Sequence, residues 1–313
     1  MTHFSTLLLC LSLSLPLFGQ RSRHDAPPDE ETPSLDDLKK EAGMTDLDLD
    51  KKAFQWYNKK GKRTSYKKLL EEARKADIVF FGELHNNPVC HWLQFELTRD
   101  LYAKVGDRLV LGGEMFESDN QLVINEYFLG VINKSSFEKE VRLWPNYKTD
   151  YEMLLEFARK NGLRWVATNT PRRYASLVFR EGFDRLKTIP DYSRAFIAPL
   201  PIDEDLDLPC YKKMLEMGGG NANFPRAQML KDATMAYFIL RNWNTGELFL
   251  HYNGSFHSDN HEGIVWYLRR KNPDLKILVI STVEQIEIDE LDWENKGKGD
   301  YILCIPERMT KTH

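Results

Sequence analysis

The stretch Ile78-Val-Phe-Phe-Gly-Glu-Leu-His-Asn-Asn-Pro-Val-Cys-His91 decides how the chain is read. Ile78, Val79, Phe80 and Phe81 form an apolar run rich in β-formers, long enough for a strand buried on both faces. Gly82 interrupts the run, and Glu83 and His85 follow, with Asn86, Asn87 and Pro88 behind them. Apolar residues then resume at helical spacing, at Trp92, Leu93, Phe95, Leu97 and Leu101. The pattern is strand, polar turn, helix. In an open α/β sheet, ligands bind at turns that leave the carboxyl ends of strands. An acid and two imidazoles, Glu83, His85 and His91, in or beside one such turn therefore mark a candidate site.

The same pattern recurs downstream. Leu109-Val-Leu111 reads as a second buried strand, ended by Gly112 and Gly113 and followed by Glu114. If these two strands are parallel neighbours, Glu83 and Glu114 point into one cleft. Leu163–Ala167 reads as a third strand, with Asn169, Thr170, Pro171, Arg172 and Arg173 at its exit. Leu248–Tyr252 is a fourth, leaving through Gly254-Ser-Phe-His257. Lys276–Thr282 and Tyr301–Ile305 are further strands. Helical patterns fall between them, and Ser65 caps one that starts at Tyr66. This alternation predicts an α/β fold: a central, mostly parallel sheet flanked by helices. Helical insertions at about 117–160 and 188–243 are expected to form a lid over the carboxyl ends of the strands.

Composition narrows the function. A net charge of -4, with 43 Lys and Arg interspersed among 47 Asp and Glu, offers no basic block for nucleic acid. Leu7–Phe18 is too short to span a bilayer but has the length of a signal-peptide core, with Gly19 and Gln20 at a cleavage position. The expected organisation is a signal peptide at 1–20, a Pro- and Asp/Glu-rich disordered linker at 21–52, and one domain at 53–313. Export to the periplasm or to the outer membrane follows. Membrane association would require lipidation, and Cys10 lies in an unconvincing context for that. Cys90, Cys210 and Cys304 imply no disulfide framework. Cys304 sits in an apolar run and reads as core.

Two strand exits place a glycine three residues before a histidine, Gly82 before His85 and Gly254 before His257. Together with Glu83 and Glu114 they supply two imidazoles and two carboxylates. Such a set can bind a divalent transition metal or perform acid–base chemistry. His251 and His261 are more ordinary: a strand residue and a turn residue. Arg172 is a candidate anion ligand, and Tyr147 and Tyr151 can pack or ligate an iron centre.

Taken in order, Gly82-Glu-Leu-His85-Asn-Asn-Pro with His91, Gly113-Glu114-Met-Phe, Asn169-Thr-Pro-Arg172, Ala227-Gln-Met-Leu-Lys-Asp232-Ala-Thr-Met-Ala236 and Gly254-Ser-Phe-His257 resemble the ChaN family of iron-regulated, haem-binding uptake lipoproteins. That family belongs to a wider group with Tiki metalloproteases, TraB proteins and erythromycin esterases. The resemblance spans about Phe54 to the C-terminus. It implies an exported haem- or iron-binding protein, with Glu83, His85, Glu114 and His257 as the shared polar centre. It also makes Tyr147, Tyr151 and His91 candidates for haem contacts, with Arg172 near a propionate. The alternative it implies is a metal-dependent esterase or peptidase in which the same four residues hold the metal or activate water. The partner is then haem or another small molecule, and the oligomeric state, a homodimer included, stays open.

Overall fold

The computed structural model describes residue 34 and residues 51–312. The chain divides into a unit of residues 1–51 and a unit of residues 52–313, and the fold described is that of the second. The expected signal peptide, and the expected linker apart from Ser34, Lys51 and Lys52, lie outside the described residues.

A seven-stranded sheet forms the centre, built from β1 (Gln55–Asn58), β2 (Ile78–Glu83), β3 (Leu109–Glu117), β4 (Trp165–Asn169), β5 (Leu248–Gly254), β6 (Ile277–Gln285) and β7 (Tyr301–Pro306). Their order is β1-β7-β6-β2-β5-β3-β4. All neighbours are parallel except β1, which runs antiparallel to β7 at one edge. The helices are α1 (Tyr66–Ala73), α2 (Pro88–Val105), α3 (Gln121–Phe128), α4 (Lys134–Glu140), α5 (Glu152–Lys160), α6 (Arg172–Glu181), α7 (Asp191–Arg194), α8 (Pro209–Met217), α9 (Asn223–Asn242) and α10 (Ile264–Lys271).

Strand periodicity explains the layers. Val79 and Phe81 face one side, where they join Leu93, Leu97 and Leu101 of α2 and Leu154 and Leu155 of α5 in one core cluster. Ile78 and Phe80 face the other, in a cluster with Val178 of α6, Met229 and Leu230 of α9 and Leu268 of α10. The run is apolar at every position because both of its faces are covered. Each fully buried Phe or Leu contributes about 2 kcal/mol from apolar burial. Ser65 caps α1 as expected, its side chain accepting from Lys68 N. Asn87 caps α2 by accepting from Val89 N and Cys90 N, and Pro88 supplies the first helical residue.

Three expectations need correction. Gly112 and Gly113 do not end β3, which continues to Glu117 with a register irregularity between Gly113 and Glu117. A Cβ on Gly112 would lie 2.8 Å from the Phe249 ring and 3.0 Å from the Val166 carbonyl, so this glycine permits close strand approach. Gly82 likewise lies inside β2, where a Cβ would sit 2.9 Å from the Ile280 carbonyl and from Ser255 Cα. Nor are β2 and β3 neighbours, because β5 lies between them and pairs with both.

Candidate functional site

The centre lies along the carboxyl edge of β2, β5 and β3, where Trp144, Asn146 and Tyr151 reach His85 and Glu83, and Gln228 and Asp232 of α9 reach His257. At one end is Glu83, the last residue of β2, completely buried in its side chain. Its Oε1 accepts from the Tyr151 hydroxyl at 2.6 Å and lies 2.9 Å from His85 Nδ1. Its Oε2 accepts from Gln94 Nε2 of α2 at 2.5 Å. Burial works to raise the Glu83 carboxyl, but His85, His91 and the Tyr151 hydroxyl outweigh it and hold the group below its ordinary value. Tyr151 ends a π-helical turn, Tyr147–Tyr151, that delivers it to this position.

His85 is the exposed member of the set, with 44% of its side chain accessible. Trp144 stands edge-on to its ring at 5.0 Å, and Asn146 Nδ2 donates to its main-chain carbonyl at 2.9 Å. Burial lowers the His85 imidazolium, while Glu83 and Glu114 raise it further, so the net displacement is upward. Its Nε2 faces Gly254: a Cβ there would sit 2.8 Å from that nitrogen and 3.6 Å from Glu114 Oε2. The glycine at the end of β5 thus makes room for the imidazole of a different strand.

Glu114 and His257 form the other end. Glu114 Oε2 accepts from the Gly254 amide at 2.8 Å, and Oε1 lies 3.2 Å from His257 Nε2. The opposite ring nitrogen of His257, Nδ1, is hydrogen-bonded to Asp232 Oδ1 of α9, whose Oδ2 accepts from the Tyr211 hydroxyl at 2.7 Å. The Gln228 amide lies 3.0 Å from the same Nδ1. Burial opposes the charged form of His257, but flanking by Glu114 and Asp232 raises it to about 10. Glu114 is correspondingly held far below the usual carboxylate range, against its burial, by His257 and His85. The result is an alternation of acid and imidazole, Glu83–His85–Glu114–His257–Asp232, of which His85 alone is exposed.

The structure thus brings Glu83, His85, Glu114 and His257 together. Glu83, Glu114 and His257 are engaged with His85, Gln94, Tyr151, the Gly254 amide, Asp232 and one another, whereas the His85 ring is held through Nδ1 alone. Among the described residues, no group of three or more His, Cys, Asp or Glu side chains is arranged to hold a metal ion. His91 is buried on the first turn of α2, with Nδ1 3.0 Å from Gln94 Oε1 and Nε2 3.1 Å from the His85 carbonyl oxygen. Tyr147 is 3% exposed and packs edge-on to Phe116, with its hydroxyl unpartnered. Arg172 is exposed at the start of α6, just beyond β4 on the same edge, whereas Arg173 is paired with Asp119. His251 is a core residue, 2.8 Å from the Thr168 hydroxyl through Nε2, and burial lowers it to about 4. His261 lies 3.0 Å from Asp300.

Sequence reading missed Gln94, Tyr211, Gln228 and the role of Asp232. Gln228 and Asp232 sit four residues apart on an otherwise apolar helical face, a spacing that puts both on one side of α9. That polar i, i+4 pair was the available signal.

The family model described as haem-binding uptake, Tiki superfamily, ChaN matches residues 69–268, more than half of the chain. The ChaN protein of Campylobacter jejuni, solved with cofacial haem binding, superposes with a TM-score of 0.62 at 17% identity, over 81% of this chain and 97% of that one. A mutant of the erythromycin esterase EreC in its open conformation is more distant, with a TM-score of 0.46 at 10% identity, over 80% of this chain and 97% of the esterase. Among curated proteins, RETICULATA-RELATED 5 of Arabidopsis thaliana, a chloroplastic protein, is 26% identical over 190 residues, which are 56% of this chain. The chain spans only 26% of that relative's length. On the family match, the chain belongs to the ChaN family of haem-binding uptake proteins within the Tiki superfamily.

Proposed function

We propose that this chain binds haem at the carboxyl edge of the sheet, as an exported protein of haem or iron uptake, with His85 as the ligand to iron. The carrying observation is the setting of His85. Its ring is half-exposed beside Trp144, and its Nδ1 points to the carboxylate of Glu83. A metal-ligating histidine characteristically gives its second ring nitrogen to a carboxylate, which orients the ring and raises its basicity. Tyr147, Tyr151 and His91, the other candidate contacts, are buried, and the Tyr151 hydroxyl is held by Glu83. Bound haem would supply an iron centre open to an imidazole nitrogen. The residues here orient that imidazole, and Arg172 on the same edge would meet a propionate.

Haemin titration of the purified chain tests this reading. A saturable Soret shift that is lost in His85→Ala and kept in Tyr151→Phe supports it. No Soret shift in the parent chain overturns it. Loss in Tyr151→Phe with retention in His85→Ala would transfer the ligand role to Tyr151.

A second reading, hydrolysis, is favoured by the acid–imidazole alternation, which is longer than a single iron ligand requires. In that case His85, oriented by Glu83, would exchange the proton of an attacking water. Glu83, His85, Glu114 and His257 are also the donors a divalent metal would have to recruit, by giving up their present partners. Turnover of a model ester that disappears in Glu83→Gln, with or without added divalent metal, is the observation this reading requires.

A further inference from the structure

A second cavity lies apart from the polar centre. It has a volume of about 350 Å³ between the segment after α7 and the middle of α9, and none of Glu83, His85, Glu114 or His257 lines it. Its walls are apolar: Ala198, Pro201 and Ile202 on one side, and Ala233, Ala236 and Leu240 of α9 on the other. The small side chains on α9 leave the space, since alanine at positions 233 and 236 presents only a methyl group on each turn. Charge is confined to Asp203 and Lys271. There Arg270 Nε lies 3.4 Å and Lys271 Nζ 3.9 Å from the same oxygen, Asp203 Oδ2. Two cations share one carboxylate, and the Lys271 side chain is 67% exposed.

We propose that this cavity is a binding site for a small amphiphilic carboxylate, an alkyl or aryl acid. Apolar cavities of about 150 Å³ already take up benzene. At about 30 Å³ for each water-sized group, this one accommodates roughly a dozen non-hydrogen atoms. The volume also lies within the range of ligand pockets, which are largely apolar with a few placed polar groups. The apolar body would lie against Ala236 and Leu240. The carboxylate would take Lys271, whose pairing with Asp203 is long and shared with Arg270. An uncharged ligand of the same length would fill the cavity without this contact. A cationic one would meet Lys271 and find Asp203 already shared by Lys271 and Arg270.

Calorimetric titration of the full chain with octanoate and with 1-octanol tests the assignment. Octanoate is expected to bind saturably in the micromolar to low-millimolar range. Lys271→Ala should weaken octanoate about tenfold, the size of one lost charge-assisted hydrogen bond, and leave octanol within about twofold. Ala236→Phe should fill the cavity and abolish both, with an unchanged haemin titration showing that the polar centre is intact. No saturable octanoate binding to the parent chain overturns the proposal. So does octanoate binding that survives in a folded Ala236→Phe protein, or an equal effect of Lys271→Ala on acid and alcohol. If Ala236→Phe does not fold, the acid-against-alcohol contrast in Lys271→Ala decides alone.

Discussion

Replacing Asp232 with asparagine keeps the shape of the His257 partner and removes its charge. His257 is fully buried and raised from 6.5 to about 10 by Glu114 and Asp232 acting against burial. At about 1.36 kcal/mol per pH unit, that rise is on the order of 5 kcal/mol of preference for the imidazolium in the folded state. Asp232→Asn removes one of these two charges and forfeits a share of that preference, on the order of 2 kcal/mol. The amide nitrogen that replaces Oδ2 must donate to the Tyr211 hydroxyl instead of accepting from it, and this reversal adds about 1 kcal/mol that does not depend on pH. The sign follows from linkage. A group raised in the folded state contributes its full stability below the unfolded value of 6.5 and loses it as pH rises through about 10. Urea unfolding of parent and variant at pH 6 should therefore differ by about 3 kcal/mol, and at pH 10.5 by about 1 kcal/mol. Taking the difference at each pH removes the titration of lysines and tyrosines common to both proteins. A difference that stays constant between pH 6 and pH 10.5 would refute the claim that Asp232 stabilises a buried imidazolium.

Haemin affinity should rise between pH 5.5 and pH 8, because iron needs a neutral His85 and Glu83 and Glu114 hold its imidazolium above the ordinary value; a flat Soret titration over that range would argue against His85. Gly254→Ala should displace His85, since the new methyl would lie 2.8 Å from Nε2, and should weaken haemin at least tenfold with the thermal melt little changed. Gly112→Ala places a methyl 2.8 Å from the Phe249 ring and 3.0 Å from the Val166 carbonyl; chemical unfolding should show a loss of about 1–3 kcal/mol. Ser65→Ala removes the cap on α1, and the same measurement should give about 1 kcal/mol.

Much of the fold was legible because its signals are local. A strand covered on both faces must be apolar at every position, and Ile78–Phe81, Leu109–Leu111 and Leu248–Leu250 are. A cap must carry a side-chain acceptor, and Ser65 does. Three of the four polar residues of the centre were visible for the same reason: Glu83, His85 and His257 sit at or just beyond a strand end, while Glu114 stands inside β3 near its carboxyl end, and parallel strands bring such ends to one edge. The glycines were misread because the chain shows that a residue lacks a side chain and not why. At Gly112 and Gly82 the reason is a neighbouring strand or turn that comes close, and at Gly254 it is an imidazole from another strand.

The sequence by itself therefore determined the α/β class, six of the seven strands of the sheet (all but β1) and the candidacy of Glu83, His85, Glu114 and His257 as one polar centre. Only the tertiary structure decided that β5 separates β2 from β3. It alone decided that Tyr151 and Gln94 hold Glu83, that Asp232 holds His257, and that His85 remains the exposed imidazole while His91 and Tyr147 are buried. The physical reason is separation along the chain. Periodicity and capping act within a few residues, whereas Tyr151 and Glu83 are 68 residues apart and Gly254 and Glu114 are 140 apart. Pairing at such distances is chosen by the packing of whole elements, which no local pattern encodes.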